Sequence, residues 1–192
     1  MPEGHVIHRL AHAIDESFGR LPVQVSSPQG RFAESAAQLD GYPIAAAEAY
    51  GKNLFVEFAA PVAEPVIHIH LGLIGKLSLT PLTPPVGQVR LRIANDTTTA
   101  DLRGPQTCVL VSPERQAQIQ ASLGPDPLRS DADPDRGFAR VKRSSKSIAA
   151  LLMDQKVAAG VGNIFRAESL FRQGVDPFLP GASASEETLE AL

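Results

Sequence analysis

Residues 148–174 read IAALLMDQKVAAGVGNIFRAESLFRQG, and the second half of the chain is organised around this segment. Its first part has apolar residues at helical spacing, which predict a helix running through Val157. Gly160 and Gly162 then interrupt the helix, and a second helix is expected to start at Asn163. Because the first N–H groups of a helix point outward and attract anions, this glycine-rich turn suits a backbone phosphate.

The flanks of this segment extend the helical half of the chain. Residues 123–139 are rich in Pro, Asp and Gly, which indicates a linker. A final helix is expected from Ser183 to Leu192. A basic cluster precedes the first helix and consists of Arg140, Lys142, Arg143 and Lys146. We therefore assign residues 140–192 to an all-α domain that follows the linker.

The first part of the chain has a different pattern. A short amphipathic helix is predicted between Gly4 and Gly19, from apolar residues at helical spacing. Short β-type runs separated by Pro and Gly follow, at residues 23–25, 54–58, 66–70, 76–79, 89–93 and 109–111. Many short strands at regular spacing are typical of a sandwich or barrel. The chain is thus predicted to be α+β, with residues 1–122 forming the β-rich domain.

Composition sets broad limits on function. The chain has 192 residues, of which 43% are hydrophobic and 20% charged, as in an ordinary globular protein. Its net charge of −3 neither supports nor excludes nucleic-acid binding, which depends on local basic patches. Cys108 is the single cysteine, so no intrachain disulfide or thiolate zinc cluster can form. Without a membrane-length apolar run or a signal pattern, we expect a cytoplasmic protein.

The N-terminus carries the first candidate for chemistry. If Met1 is removed, Pro2 presents a free secondary amine beside the carboxylate of Glu3. An unprotonated α-amine can attack an electrophilic carbon, and its ordinary pKa of about 8 lies near neutrality. Both groups would sit at the positive end of the first helix, which favours a carboxylate and an unprotonated amine. The alternative is that these residues are simply the start of a chain.

The same helix carries His5, His8 and His12 at spacings of three and four residues. This spacing places them on one face, where they could bind a metal ion. No carboxylate or thiolate nearby completes a ligand set, so solvated histidines are the favoured interpretation.

Three features of the β-rich domain are candidates for contact with a polyanion. Lys52 is expected at the start of a strand, where it reaches a phosphate or a sugar, or is only a solvated edge residue. Strand alternation places His68 and His70 on one face. The glycines that follow present Leu73 and Ile74 on a tight turn. That turn is either a wedge that fills a gap in stacked bases or an ordinary buried turn.

Taken together, these motifs resemble the formamidopyrimidine-DNA glycosylase and endonuclease VIII family, most closely its actinobacterial endonuclease VIII-like branch. The resemblance rests on Met1 to Gly4, Gly51-Lys52, His70 to Gly75, Asp101 to Pro105, Gly124 to Leu128 and Asp154 to Glu168. The last motif is highly specific, and the match covers nearly the whole chain in order. The resemblance implies a β-sandwich joined to a helix–two-turn–helix domain, with DNA bound between them.

The resemblance also implies a reaction. The chain would be a bifunctional DNA glycosylase and abasic-site lyase that acts on double-stranded DNA with oxidised bases, expected to be pyrimidines. Pro2 would attack C1′ and release the base through a Schiff base, and β,δ-elimination would cut the strand. Glu3 would protonate the sugar ring oxygen. Lys52 would lie near the damaged sugar and its phosphate.

Three further roles follow from the resemblance. His70 and Asn163 would contact phosphates that flank the lesion, and Leu73 would fill the void left by the damaged base. We expect a monomer that associates with the bacterial nucleoid through DNA.

Independently of the resemblance, Asp101 and Arg103 are expected to form an ion pair or to hold their loop.

The sequence departs from the family in two places. With Cys108 alone it cannot build the family's four-cysteine zinc finger, so no cofactor is expected and the chain is either shortened or has lost the finger. The turn after Arg103 lacks the arginine and phenylalanine wedge of the formamidopyrimidine branch. The alternative function is therefore a catalytically weak remnant that binds damaged or abasic DNA. RNA or protein binding is a third possibility, but it leaves Pro2 and Lys52 without a role.

Overall fold

The computed structural model describes residues 2–192, which divide into two compact units. The first unit ends at Gln118, and the second runs from Ile119 to Leu192. Each unit has its own hydrophobic core. The α+β class predicted from the sequence is confirmed.

The first unit is a sandwich of two antiparallel four-stranded sheets. Its elements are α1 (Gly4–Phe18), β1 (Gln24–Ser26), α2 (Ala33–Leu39), β2 (Ile44–Tyr50), β3 (Asn53–Phe58), β4 (Val66–His70), β5 (Lys76–Pro81), β6 (Val89–Ala94), β7 (Thr98–Arg103) and β8 (Thr107–Val111). Helix α3 (Pro113–Ser122) follows, and the boundary between the units falls within it, after Gln118. One sheet has the order β1-β6-β7-β5 and the other β2-β3-β4-β8. Apolar residues from both sheets meet in one core. All six predicted strands are present, whereas β2 and β7 were not predicted.

Helix α1 ties the N-terminus to one sheet. Its apolar face, with Ile7, Ile14 and Phe18 at helical spacing, is buried in the sandwich core. The helix packs on β2 and β3. It ends at Phe18, and the C-cap residue Gly19 has a positive φ of 54° and donates its N–H to the Asp15 carbonyl. The predicted bounds of this helix are confirmed.

The second unit contains four helices and a short 3₁₀ turn. They are α4 (Asp135–Val141), α5 (Ile148–Met153), α6 (Asn163–Arg172), the turn Gly181–Ser183 and α7 (Glu186–Ala191). The prediction that the helix at Ile148 reaches Val157 is wrong, because it ends at Met153. The Asp154 carboxylate then accepts the N–H of Lys156 at 2.9 Å, which stabilises a turn instead of a further helical turn. The last helix likewise begins later than Ser183.

Residues 123–139 do not form the expected linker. Gly124 donates its N–H to the Gln155 carbonyl at 2.9 Å, and the Pro125 carbonyl accepts from Ala159 at the same distance. Asp126 is buried, and α4 begins at Asp135. The many Pro, Asp and Gly residues of this segment therefore form packed turns of the second unit. They do not form an exposed connection.

We expect Gly124→Ala to destabilise the second unit. A Cβ at this position would lie 2.5 Å from the Lys156 carbonyl oxygen and 2.7 Å from that of Val157, and backbone atoms cannot move aside cheaply. Crowding of this kind costs about 1–3 kcal/mol. Chemical denaturation should show the loss, while Ser130→Ala, at an exposed position in the same segment, should change the unfolding free energy little. Equal stability of both variants would contradict the packing described for Gly124.

Within residues 2–192, every helix is too short or too polar to cross a lipid bilayer.

Candidate active site

Glu3, the residue after Pro2, is buried. Glu3 occupies the N-cap position of α1 in extended conformation, with φ −112° and ψ 175°, and its carbonyl accepts the Val6 N–H at 3.0 Å. The residue is only 1% exposed, whereas Pro2 is partly exposed. Met1, which must be removed to free the Pro2 amine, lies outside the described residues. The arrangement places an acid that is shielded from bulk water directly beside Pro2.

Lys52 lies in the two-residue turn between β2 and β3, one residue before β3 begins, whereas the sequence predicted it at the start of the strand. Tyr50 and Asn53 are the last cross-strand pair, and Gly51 adopts a positive φ of 59° that closes the turn. Partial burial lowers the pKa of the Lys52 ammonium, and the negative charge of Glu3 opposes this shift. Lys52 and Glu3 are therefore electrostatic neighbours, although they are distant in sequence.

His70 extends this group of charges. It ends β4, and its Nδ1 atom accepts the backbone N–H of Gly72 at 3.2 Å. In the neutral ring this hydrogen bond assigns the proton to Nε2, which remains a donor. Burial, followed by the positive charge of Lys52, lowers the pKa of His70. Glu3, Lys52 and His70 thus form one electrostatic cluster, as their proposed roles require.

His68 lies on the same sheet face as His70, as strand alternation predicted. Its Nε2 atom is 2.9 Å from the Asn53 Oδ1, and its ring stacks on Phe55 with centroids 4.9 Å apart and planes inclined by 17°. Burial, with the positive charges of His70 and Arg115, lowers the pKa of His68 from 6.5 to about 4. From the sequence, His68 was placed only on the same face as His70, and Asn53 was not singled out.

Because the pKa of His68 is low, we expect the stability of the folded chain to depend on pH in the acid range. Between pH 6.5 and about 4 the unfolded chain binds a proton at His68 that the folded chain does not, so folding weakens as pH falls through this window. We expect His68→Gln to lose less stability than the parent between pH 7 and pH 5, measured as the shift in thermal midpoint. An equal shift in both proteins would contradict the low pKa.

The turn after β4 is exposed, so the buried-turn alternative is wrong. Leu73 and Ile74 are 75% and 86% exposed. The Gly75 N–H bonds to the Leu71 carbonyl at 3.1 Å, and a Cβ on Gly75 would lie 2.1 Å from that carbonyl oxygen. Only glycine fits there. The tight turn therefore holds two apolar side chains in solvent, as a wedge requires.

The predicted ion pair between Asp101 and Arg103 is present, with 2.9 Å between Oδ2 and Nη2. Arg103 also donates to the Val86 carbonyl from Nε at 3.1 Å and from Nη2 at 3.0 Å. Asp101 faces buried Arg92 on the other side, at 3.5 Å. The Arg103 guanidinium therefore holds the loop before β6 against the sheet.

The second unit contains the glycine-rich turn. Gly162 is the N-cap of α6, and Asn163 is the exposed first residue of the helix. The Asn163 Oδ1 accepts a hydrogen bond from Arg166. Gln155 stabilises the turn because its side chain donates to the Val161 carbonyl at 2.9 Å and accepts from the Gly160 N–H at 2.9 Å. The role of Gln155 was not predicted from the sequence. Its position shortly before Gly160 and Gly162 was the feature that could have indicated it.

Side chains that could bind a metal ion do not cluster in the part of the chain that the structure describes. On α1, His12 lies 3.3 Å from Glu16, both largely exposed, and residues 2–192 contain no group of three or more His, Cys, Asp or Glu side chains that could hold a metal. Cys108 is buried in the sandwich core, where burial raises the pKa of its thiol to about 12. This donor set does not fit the four-thiolate zinc site of the family.

Comparison with known families gives matches in both units. Residues 1–108 match the formamidopyrimidine-DNA glycosylase N-terminal domain, and residues 123–192 match the formamidopyrimidine-DNA glycosylase H2TH domain. The helix–two-turn–helix interpretation of the second unit is thereby confirmed.

Similar proteins were found by sequence and by structure. The chain is 47% identical over 197 residues to Endonuclease 8 1 of Mycobacterium tuberculosis (strain ATCC 25618 / H37Rv), which covers 100% of this chain and 72% of the relative. It is 33% identical over 170 residues to formamidopyrimidine-DNA glycosylase of Stenotrophomonas maltophilia (strain R551-3), covering 83% and 59%. A Lactococcus lactis formamidopyrimidine-DNA glycosylase bound to abasic-site DNA superposes with a TM-score of 0.81 at 20% identity, covering 98% and 75%. This last likeness concerns the fold alone.

Proposed function

Because this chain belongs to the formamidopyrimidine-DNA glycosylase and endonuclease VIII family, we propose that it excises oxidised bases, chiefly pyrimidines, from duplex DNA and cuts the resulting abasic site. The single observation that carries the proposal is the buried Glu3 carboxyl, which directly follows Pro2 in the chain and interacts electrostatically with Lys52. Such a site supplies an amine nucleophile, an acid and a cation at one place.

In the proposed reaction, the free amine of Pro2 forms a bond to C1′ of the damaged nucleotide. Glu3 protonates the ring oxygen, the sugar ring opens, and the bond from C1′ to the base breaks. The base leaves with a proton, and the nitrogen of Pro2 remains joined to C1′ as an iminium ion, the Schiff base. Removal of sugar protons then expels the two flanking phosphates by β- and δ-elimination.

Lys52 and His70 are proposed to bind the damaged strand. The Lys52 ammonium would attract a phosphate next to the lesion, and the Nε2–H of His70 would donate to a phosphate oxygen. Because burial and the charge of Lys52 both depress the pKa of His70, this histidine would bind as a neutral donor. Asn163, at the start of α6, would hold another phosphate without reading sequence.

The proposed chemistry needs no cofactor, because the amine, the carboxyl and the ammonium all belong to the chain. We propose that the protein acts as a monomer on DNA.

Borohydride trapping tests the proposal. Borohydride reduces the iminium ion to a stable amine, so the chain should become covalently joined to duplexes carrying an oxidised pyrimidine or an abasic site, and not to the undamaged duplex. Absence of the adduct on every damaged duplex would refute the catalytic proposal. If the chain still bound abasic duplex tightly, it would be the DNA-binding remnant considered as the alternative.

Leu73 is proposed to fill the space that the extruded nucleotide leaves. Its Leu73→Ala variant should bind lesion-containing duplex about 10- to 100-fold more weakly, since burial of a leucine side chain is worth about 1.5–3 kcal/mol. Leu21→Ala is a matched control, because Leu21 is 74% exposed and lies outside the turn. Binding titrations that show equal affinities for the two variants would remove the wedge role. Neither change should affect the unfolding free energy by more than about 0.5 kcal/mol.

A further inference from the structure

We propose that Asn53 and His68 are positioning residues that set the location of Lys52 at the damaged strand. This inference rests on the proposed function, in which Lys52 binds a phosphate beside the lesion. It adds two residues that do not themselves touch DNA.

The Asn53 side chain bridges the Lys52 turn. Its Nδ2 donates to the Tyr50 carbonyl at 3.2 Å, across the two residues of the turn. Its Oδ1 faces the His68 Nε2 at 2.9 Å. Asn53 therefore joins the end of β2, the start of β3 and the middle of β4 at the point where Lys52 projects.

Hydrogen-bond chemistry determines the orientation of this amide. A backbone carbonyl only accepts, so the nitrogen of the Asn53 amide must face Tyr50 and the oxygen must face His68. The Nε2 atom of His68 consequently carries a proton and donates it. Because burial lowers the pKa of His68 to about 4, its neutral ring performs this function at physiological pH.

His68 is itself held rigidly enough to serve as an anchor. It pairs with Phe55 across β3 and β4, and its ring stacks on that buried side chain. Attraction between the two rings favours this orientation of the imidazole. The donor is thus fixed by the sheet and by the aromatic contact together.

The arrangement matters because of the length of a lysine side chain. Its ammonium ends a four-carbon stem with many rotamers, so the position of the turn decides which of them bring the charge to a fixed phosphate. His70 lies on the same strand as His68 and pairs directly with Asn53. Asn53 and His68 therefore fix the position of the Lys52 turn relative to His70. The distance between the two proposed phosphate donors, Lys52 and His70, is thereby kept constant.

A double-mutant cycle tests this inference in the full chain. The rate of base release is measured in single-turnover reactions on duplex with an oxidised pyrimidine, for Asn53→Ala and for His68→Phe, which keeps an aromatic ring but removes the donor. In the parent, each change is expected to lower the rate of base release about tenfold. In the Lys52→Ala background each should lower it less than about twofold, because the effects of coupled residues are not additive. His68→Gln, which retains an N–H donor, should recover at least half of the parent rate.

The outcomes separate the inference from the proposed function. Equal effects in both backgrounds would overturn the positioning role while leaving the role of Lys52 intact. An unchanged rate for Lys52→Ala alone would instead overturn the assigned role of Lys52, and the inference with it. Thermal midpoints of all variants distinguish general unfolding, which lowers the rate in both backgrounds, from misplacement of Lys52. If His68→Phe does not fold, Asn53→Ala supplies the same cycle.

Discussion

A chain that keeps a residue ahead of Pro2, either Met1 or an added one, is expected to form no covalent adduct with abasic DNA under borohydride. The extension converts the Pro2 amine into an amide, whose nitrogen lone pair is delocalised and does not attack carbon. Loss of the nucleophile should reduce adduct formation by a factor on the order of 10⁴ or more, as for other covalent enzymes. Gel electrophoresis of the trapped complex measures this effect directly.

A cleavable extension provides the matched control. Proteolytic removal that exposes Pro2 should restore the adduct within the same preparation, and binding to a non-reactive abasic analogue should be similar before and after cleavage. An adduct that forms equally well with the blocked chain would show that another amine is the nucleophile. Lys52, the amine close to Glu3, would then be the first residue to test.

The second large effect is expected for Glu3→Gln. Glutamine preserves the size of the buried side chain but cannot donate a proton as an acid, so base release should slow roughly 10²- to 10⁴-fold. Single-turnover release of an oxidised pyrimidine is the appropriate measurement. Because Glu3 also occupies the N-cap of α1, the unfolding free energy must be measured in parallel.

Glu16→Gln is the control for this variant, since Glu16 lies on the exposed face of the same helix beside His12. Its rate should stay within about twofold of the parent, because exposed pairs contribute little. A Glu3→Gln rate close to that of Glu16→Gln would mean that the proton comes from elsewhere. It would leave the role of Pro2 untouched.

The two strands that were not predicted show the limits of local pattern. Strand β2 contains Ala45, Ala46, Ala47 and Ala49, and alanine has low β propensity. Strand β7 contains Asp101, a residue depleted in strands, which is stable there because Arg92 and Arg103 surround it. In both cases neighbouring strands supply the stabilisation, and they are distant in sequence.

The prediction of a linker at residues 123–139 was wrong for a related reason. Proline, aspartate and glycine mark turns equally well in an exposed connection and in a packed one. The burial of Gly124 depends on the carbonyls of Lys156 and Val157, about 30 residues later, and composition contains no information about them. Helix α1 was predicted correctly because its apolar face and its terminal Gly19 are local signals.

For the candidate site, the sequence by itself determined the types of group: the amine and acid at Pro2 and Glu3, the lysine after Gly51, the apolar turn at Leu73 and the glycine turn before Asn163. These are local motifs, and their chemistry follows from residue identity and spacing. Only the tertiary structure decided that Glu3, Lys52 and His70 share one electrostatic environment. Only it joined Asn53 to His68, because pairing of β3 with β4 depends on register and on packing of the whole sandwich.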